Sequence, residues 1–151
     1  MLGPMGKDAD PRECSVADAL QVVGERWTLL VIRELVYGVR RFDGIVRNTG
    51  AARDILTARL RKLEDAGIVR REPYSSRPAR YEYHLTSKGA ELSEVLAVLM
   101  KWGDRHINPD DPPVRWIHTC GERLEATVVC AHCGRPALEG GHPTGRGART
   151  A

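Results

Sequence analysis

The chain has 151 residues, of which 42% are hydrophobic and 28% charged, a composition typical of a soluble globular protein with one substantial core. Its longest apolar runs, such as LLVI at 29–32, are far too short to span a bilayer, and its first residues lack the apolar run of a signal peptide. We therefore expect a cytoplasmic protein without a membrane partner, in which clustered cysteines indicate metal or redox chemistry before disulfides.

The charge is unevenly distributed along the chain. The formal net charge is +3, but between Arg47 and Arg80 nine basic residues stand against four acidic ones, so this window is +5 and the rest is −2. A local basic patch on a nearly neutral protein predicts contact with a polyanion at one place. A solvated basic face would account for the charge equally well, so charge alone does not establish that a polyanion binds there.

Helix start and stop signals divide the first third of the chain. Polar residues 1–13 predict a flexible arm, and residues 141–151 predict a disordered tail. Ser15 is expected to cap a first helix that ends at Gly24, and Gly38 to stop a second. A third, short helix is predicted from residue 41 to about residue 48.

A basic helix and a hairpin follow. Leu56, Leu60 and Leu63 recur at i, i+4 and i+7, so residues 53–66 are predicted to form a helix with one apolar stripe. IVRREPY and RYEYHL alternate as strands do, and the turn-rich SSRPA between them predicts a β-hairpin.

A long helix and a proline-rich break complete this part of the chain. Thr86 is expected to cap the helix SKGAELSEVLAVLMKWGDRHI, which has too many apolar residues for a lone surface helix. NPDDPP at 108–113 then separates residues 14–107 from a small segment at 114–140.

The order of these elements predicts a winged helix-turn-helix. The helices at 42–48 and 53–66 are joined by the tight turn TGAA, as this motif requires, and the basic hairpin follows where a wing would lie. The predicted fold class is therefore mainly α with a β-hairpin wing (α+β), with a small C-terminal β-hairpin lobe after it.

The second helix of the motif is expected to enter the major groove of DNA. Its side opposite the leucines would approach the bases, and the arginines of the hairpin would lie along the backbone or minor groove. The predicted DNA-binding residues are Arg53, Asp54, Thr57, Ala58, Arg61, Lys62, Arg70, Arg71, Arg77 and Arg80. Any of the charged ones could instead be a plain surface charge, and Arg61 could simply pair with Asp65.

Several motifs resemble those of the HxlR family of bacterial transcriptional regulators. They are GERWTLL at 24–30, LxxLExAGIV at 60–69 and YxLTxKG at 83–89, within a similarity that extends over about residues 14–106. The resemblance implies a homodimeric winged helix-turn-helix protein that binds a pseudopalindromic operator, with its first and last helices at the dimer contact. The leading hypothesis is a sequence-specific DNA-binding regulator, more often a repressor, with a small-molecule effector compatible with that role.

An enzyme is not expected, because the sequence offers no phosphate-binding glycine loop, no nucleophile–base pair and no open metal site.

Cys14 has two interpretations. The resemblance implies that it matches a position where some HxlR-like proteins carry a cysteine that senses oxidants or electrophiles. A thiol at a helix N-terminus gains thiolate character, which Arg12 would reinforce and Glu13 would oppose. We favour a small packing residue near the dimer interface, and thiol sensing is the alternative.

The remaining cysteines lie in HTCGERLEATVVCAHCGR, residues 118–135. The candidate strands of this segment are VRWIHT and LEATVV. Cys130 and Cys133 form a CxxC knuckle, and His118 and Cys120 could face one ion from a strand. Together these four predict a zinc-ribbon-like lobe with a closed, structural zinc site.

Other interpretations of this segment stay open. They are a metal-free ribbon held by apolar side chains, a redox dithiol of Cys130 and Cys133, and a shell completed by His132 or an external ligand. The lobe could also recruit a protein partner.

Overall fold

The structure is a computed structural model that describes residues 12–146 and residue 148. Its elements in chain order are α1 (Ser15–Val23), α2 (Arg26–Val36), α3 (Phe42–Thr49), α4 (Arg53–Asp65), β1 (Val69–Ser76), β2 (Ala79–Leu85), α5 (Ser87–Ala90) and α6 (Leu92–His106). The mainly helical fold with a two-stranded wing is therefore confirmed. Most of the expected N-terminal arm, residues 1–11, and positions 147 and 149–151 of the expected tail lie outside the described residues. Within the described ranges, no helix is long and apolar enough to cross a membrane.

The boundaries of the first two helices follow the sequence signals, except at the start of α1. Gly24 is the C-cap of α1, and Gly38 adopts a left-handed φ of 83° two residues after α2 ends. The expected N-cap, Ser15, is instead the first helical residue, because Cys14 already has the extended backbone of a cap. The thiol of Cys14 thus lies directly at the N-terminus of α1.

The turn between α3 and α4 has the geometry that a helix-turn-helix requires. Gly50 adopts a φ of 71°, which disfavours residues with a Cβ. The Thr49 hydroxyl donates to the carbonyl of Ile45 at 2.7 Å and accepts from the backbone amide of Ala51 at 3.2 Å. Ala51 is only 3% exposed, so the turn is stabilised by burial of this side chain as well as by the hydrogen bonds of Thr49.

The core is built around α2. This helix packs against α3, α4, β2 and α6, and it contributes three buried apolar residues, as α4 does. The buried apolar set is Val31, Ile32, Leu35, Ile45, Ala51, Leu56, Leu60, Leu63, Ile68 and Val69. The predicted leucine stripe of α4 is therefore confirmed as the inner face of that helix.

The wing is fixed to the helix-turn-helix at its base. β1 and β2 pair in antiparallel register, with Val69 opposite Leu85. The backbone amide of Tyr83 donates to the carbonyl of Arg40 at 2.8 Å, just before α3 begins. The wing and the start of α3 are therefore held side by side.

The predicted long helix is divided at Glu91. As expected, Thr86 is the cap, and its hydroxyl accepts from the amide of Gly89 at 3.1 Å. The same hydroxyl donates to the carbonyl of Gly67 at 2.7 Å, and the Lys88 ammonium donates to the carbonyl of Ala66 at 2.8 Å. These contacts attach α5 to the end of α4, and the second helix, α6, begins at Leu92.

The C-terminal lobe (residues 114–140) does not contain the predicted strands. In the described part of the chain after α6, pairing is limited to isolated bridges, Ile117 with Arg123 and Val129 with Pro136. The expected β-hairpin lobe is wrong in this respect. Its alternating apolar residues find no second layer to pack on, and Ile117 and Val128 remain 60% and 54% exposed.

Gly89 is a position where only glycine fits. A Cβ there would lie 2.1 Å from the carbonyl oxygen of Ile68. We expect Gly89→Ala to lower the free energy of unfolding by about 1–3 kcal/mol, as overpacking in a tight contact does. Urea denaturation followed by circular dichroism measures it.

Gly103→Ala is the matched control, because a Cβ at Gly103 in α6 would meet nothing within 4 Å. It should be neutral or stabilising by about 0.5–1 kcal/mol. Equal stability of the two variants would contradict the proposed clash.

Candidate nucleic-acid interface

The outer face of α4 is exposed over its whole length. The leucines at 56, 60 and 63 point into the core. The predicted contact residues Arg53, Asp54, Thr57, Ala58 and Arg61 are all exposed. The helix thus presents a polar, partly basic face that no other described element covers.

Arg53 at the start of α4 is positioned by α3. Its guanidinium lies 2.8 Å from the Asp43 carboxylate and 4.9 Å from the centroid of the Phe42 ring. The Arg53 side chain is still 66% exposed. Such exposed ion pairs contribute little stability, so Arg53 can exchange Asp43 for a phosphate at small cost.

The wing carries two kinds of arginine. Near its base, Arg70 pairs with Glu72, and Arg71 pairs with Glu64 at 3.3 Å. Arg77 and Arg80, at the tip, have no ion-pair partner among residues 12–146. The charge at the tip of the wing is therefore the more available for an external anion.

Like the arginines at the tip of the wing, Arg61 has no ion-pair partner among the described residues. The alternative interpretation, an ion pair with Asp65, is not found in the described structure, although both residues are exposed. Arg61 therefore presents an uncompensated positive charge in the middle of the outer face of α4.

Lys62, also a predicted DNA contact, makes a hydrogen bond within the protein. Its ammonium donates to the carbonyl of Gln21 at 2.6 Å and so ties α4 to the last turn of α1. The neighbouring Arg59 is held in the same way, 2.5 Å from the Glu25 carboxylate and only 19% exposed. Both cations position α4 relative to the N-terminal helices.

Three arginines that were not among the predicted contacts lie on or beside α3. Arg41, the N-cap of α3, pairs with Glu82 of the wing at 3.0 Å and lies 4.5 Å from the centroid of the Tyr74 ring. Arg40 and Arg47 are exposed and take part in no ion pair of the described residues. The RR pair at 40–41, at the start of the predicted third helix, was the available signal for two of them.

His84 lies at the base of the wing, where its Nε2 atom is 3.4 Å from the Glu72 carboxylate and 4.0 Å from that of Glu82. Partial burial, together with the charges of Arg40 and Arg70, lowers the pKa of His84 below its ordinary value, although Glu82 opposes this. The lowered pKa favours the neutral imidazole near pH 7.

The predicted metal ligands lie as two pairs. His118 Nδ1 is 3.3 Å from the Cys120 sulfur. In the CxxC knuckle the amide of Gly134, at φ 71°, donates to the carbonyl of Cys130 at 2.7 Å. Hydrogen bonds from the backbone and side chain of Arg135, and then from Cys130, lower the pKa of the Cys133 thiol. Within the described residues, no three His, Cys, Asp or Glu side chains come together as a group that could hold a metal.

The C-terminal lobe is attached to the helices mainly by polar and aromatic contacts. The Lys101 ammonium of α6 donates to the carbonyl of Ala126 at 2.7 Å, and Arg123 pairs with Asp104 at 3.2 Å. The rings of Tyr37 and Trp116 lie 5.5 Å apart. The lobe thus lies beside α6, on the side that faces α2.

Two apolar surfaces are left uncovered. On α1, Val16 and Leu20 are 65% and 55% exposed, and on α6, Val95 and Trp102 are 54% and 55% exposed. These are the two helices for which the sequence resemblance implies a dimer contact.

The basic face of α4, the tight turn before it and the arginine-bearing wing define a winged helix-turn-helix transcriptional regulator. Residues 22–111, more than half of the chain, match the HxlR-like helix-turn-helix family. The chain belongs to this family.

Individual relatives agree with that assignment. The uncharacterised HTH-type transcriptional regulator Rv3095 of Mycobacterium tuberculosis is 49% identical over 122 residues, which cover 80% of this chain and 77% of the relative. PA1607, a candidate transcription factor of known structure, is 32% identical with a TM-score of 0.76 and covers 87% of this chain and 94% of its own. The redox regulator HypR in its oxidised form is 32% identical with a TM-score of 0.56, over 62% of this chain and 97% of its own.

The similarity to PA1607 extends past the helix-turn-helix domain. Residues 1–106 make up only about seven tenths of the chain, whereas the match covers 87% of it. A C-terminal segment after α6 is thus part of the shared structure.

Proposed function

We propose that the protein is a repressor that binds a pseudopalindromic operator as a homodimer. The observation that carries this proposal is the uncovered basic face in which Arg61, Arg77 and Arg80 have no carboxylate partner in the described structure. Arg61 would reach the major groove with α4, and Arg77 the backbone or minor groove beside it. Arg53 and Arg71 would exchange their exposed ion pairs for phosphates.

The dimer would be formed through the uncovered apolar faces of α1 and α6. A two-fold axis there would place two α4 helices about one turn of DNA apart, roughly 34 Å. Burial of Val98 and Trp102 against a second copy would remove exposed apolar surface of α6 from water.

Arg61→Ala and Arg77→Ala test the docking geometry. Each should weaken binding to the DNA upstream of the protein's own gene by about 1–3 kcal/mol and reduce the slope of its salt dependence by about one unit for each phosphate that the variant no longer binds. Fluorescence anisotropy at several salt concentrations, with non-specific competitor, measures both.

Arg115→Ala provides the control, because Arg115 is also exposed but lies outside the motif, where it pairs with Asp111. Its operator affinity should equal that of the wild type. If all three variants bind equally well, α4 and the wing do not dock as proposed.

The dimer contact can be disrupted from α6. Val98→Asp would bury a charge at the interface and should raise the dimer dissociation constant at least about 100-fold, or roughly 3 kcal/mol. Sedimentation equilibrium would then show one chain where the wild type shows two.

Val129→Asp is its matched control, since Val129 is an exposed apolar residue of the C-terminal lobe, 47% exposed against 40% for Val98. It should leave the dimer intact. A monomeric wild type, or a dimeric Val98→Asp, would refute this interface.

We also propose one structural zinc ion in the C-terminal lobe, held by His118, Cys120, Cys130 and Cys133. The approach of His118 to Cys120 and the lowered pKa of Cys133 support it, because zinc binds thiolates. Binding would have to draw the two pairs together, since they do not form one group in the described structure. Protein purified without chelator should contain about one zinc per chain by atomic emission, and Cys133→Ser should lose it. Cys14→Ser should keep it, and wild-type protein free of metal would exclude the site.

Thiol sensing through Cys14 is the second candidate function. It is favoured by the similarity to the redox regulator HypR and by the exposed position of Cys14 at the start of α1. If Cys14 senses oxidants, the Cys14→Ser variant made as the zinc control will keep its operator binding after oxidation. If Cys14→Ser still releases the operator after oxidation, Cys14 is not the sensor.

A further inference from the structure

Beside the contact between α2 and α6, residues of both helices and of the C-terminal lobe line a large cleft. Its volume is about 860 Å³, within the range of small-molecule sites. Its lining includes none of the residues of the outer face of α4 or of the wing. The DNA-binding interface therefore does not account for it.

The walls of the cleft are mainly apolar. Leu30 and Val36 of α2 face Leu96 and Met100 of α6, and Leu124 of the lobe completes the enclosure. At one end the rings of Tyr37 and Trp116 lie 5.5 Å apart and both line the space. Such a surface favours a hydrophobic ligand of substantial size.

The polar groups of the cleft leave a negative charge uncompensated. The guanidinium of Arg33 lies 2.6 Å from the buried carboxylate of Glu34, so these two charges offset one another. Asp104 pairs with Arg123 at 3.2 Å. Glu94, at the rim on α6, is exposed and takes part in no ion pair within the described ranges.

We propose that this cleft binds a hydrophobic organic cation. The Tyr37 and Trp116 rings would attract its positive charge through their π faces, and Glu94 would add a carboxylate at the rim. A hydrophobic anion of the same size would contact the same apolar walls, but Glu94 and the π faces of the rings would repel its charge.

The position of the cleft connects the ligand to DNA binding, and this step rests on the proposed function. Leu96 and Met100 of α6 line the cleft, whereas Val98 and Trp102 lie on the face proposed for the dimer. On the opposite wall, Glu34 accepts a hydrogen bond from Asn48 of α3 at 2.8 Å. A ligand between the two walls therefore sets the spacing between the dimer helix and the helix-turn-helix.

The binding site is tested with two ions of matched size and shape and of opposite charge. Tetraphenylphosphonium and tetraphenylborate are each titrated into the full chain, without DNA, by isothermal titration calorimetry. The cation should bind at least about tenfold more tightly than the anion, a difference of about 1.4 kcal/mol. No binding of the cation, or equal affinity for the two ions, overturns the proposal.

Variants locate the ligand within the molecule. Ala97→Trp places an indole in the cleft and should weaken cation binding at least about tenfold, with the thermal melting curve as a check of folding. Glu94→Gln should weaken it about threefold to tenfold, whereas Glu91→Gln, exposed on the adjoining turn but outside the cleft, should have no effect. Equal effects of the two glutamine variants would place the cation elsewhere.

The link to DNA is measured separately. Operator affinity is determined with and without saturating tetraphenylphosphonium, for the wild type and for Ala97→Trp. A shift of at least about threefold in the wild type alone supports the coupling, and no shift refutes it. If the protein does not bind the operator in the absence of ligand, the proposed function is refuted. The calorimetric titration would still show whether the cleft binds the cation.

Discussion

A buried carboxylate, Glu34, lies at the junction on which the arrangement of the domain depends. It is 3% exposed, and it belongs to α2, the helix that contacts α3, α4, β2 and α6. A charge in such a place is strongly unfavourable unless its oxygens are hydrogen-bonded. One oxygen is held by Arg33 and the other by Asn48, 14 residues further along the chain.

The need for these hydrogen bonds means that Glu34 determines the position of α3 relative to α2. The carboxylate is satisfied only where α3 brings Asn48 within 2.8 Å, so sliding α3 along α2 would leave a charged oxygen without its donor. Apolar contacts alone tolerate such sliding better, since they are less directional than hydrogen bonds. The angle at which α3 presents the turn and α4 is thus determined by a polar contact within an apolar core.

The features that could be predicted from the sequence are those that short-range geometry determines. The leucine period of α4 decides which side faces inward, so its exposed face follows without knowledge of the fold. The tight turn that contains Gly50 and the helix cap at Thr86 were also predicted, because each signal lies within a few residues of its effect.

The individual roles of the cations could not be predicted. Lys62 and Arg61 are neighbours with similar chemistry, yet Lys62 donates to Gln21, 41 residues earlier, and Arg61 has no partner in the described part of the chain. Arg41 pairs with Glu82, again 41 residues away. Such choices depend on tertiary distances that local pattern does not contain.

The C-terminal lobe failed as a predicted hairpin for a related reason. Alternation of apolar residues stabilises strands only where one face is buried, and here Val128 and Val129 remain about half exposed. The lobe is held by backbone hydrogen bonds of its own, such as that from the Leu124 amide to the Trp116 carbonyl at 2.8 Å. It is attached to other elements by the contacts of Lys101 with Ala126, Asp104 with Arg123 and Tyr37 with Trp116. Its position therefore depends on where α6 lies.

The apolar surface of α6 extends over two sides of the helix. Leu96 and Met100 line the cleft beside α2, while Val95, Val98 and Trp102 are exposed. Leu99, which is 50% exposed and also lines the cleft, joins these two sides. A helix with one buried face needs only a narrow apolar stripe, so this wider surface calls for a second partner. Because a rigid helix carries both, any change in the cleft that tilts α6 also changes the surface offered to a second copy. In a dimer of this kind, the separation of the two α4 helices would respond to the contents of a cleft that neither of them touches.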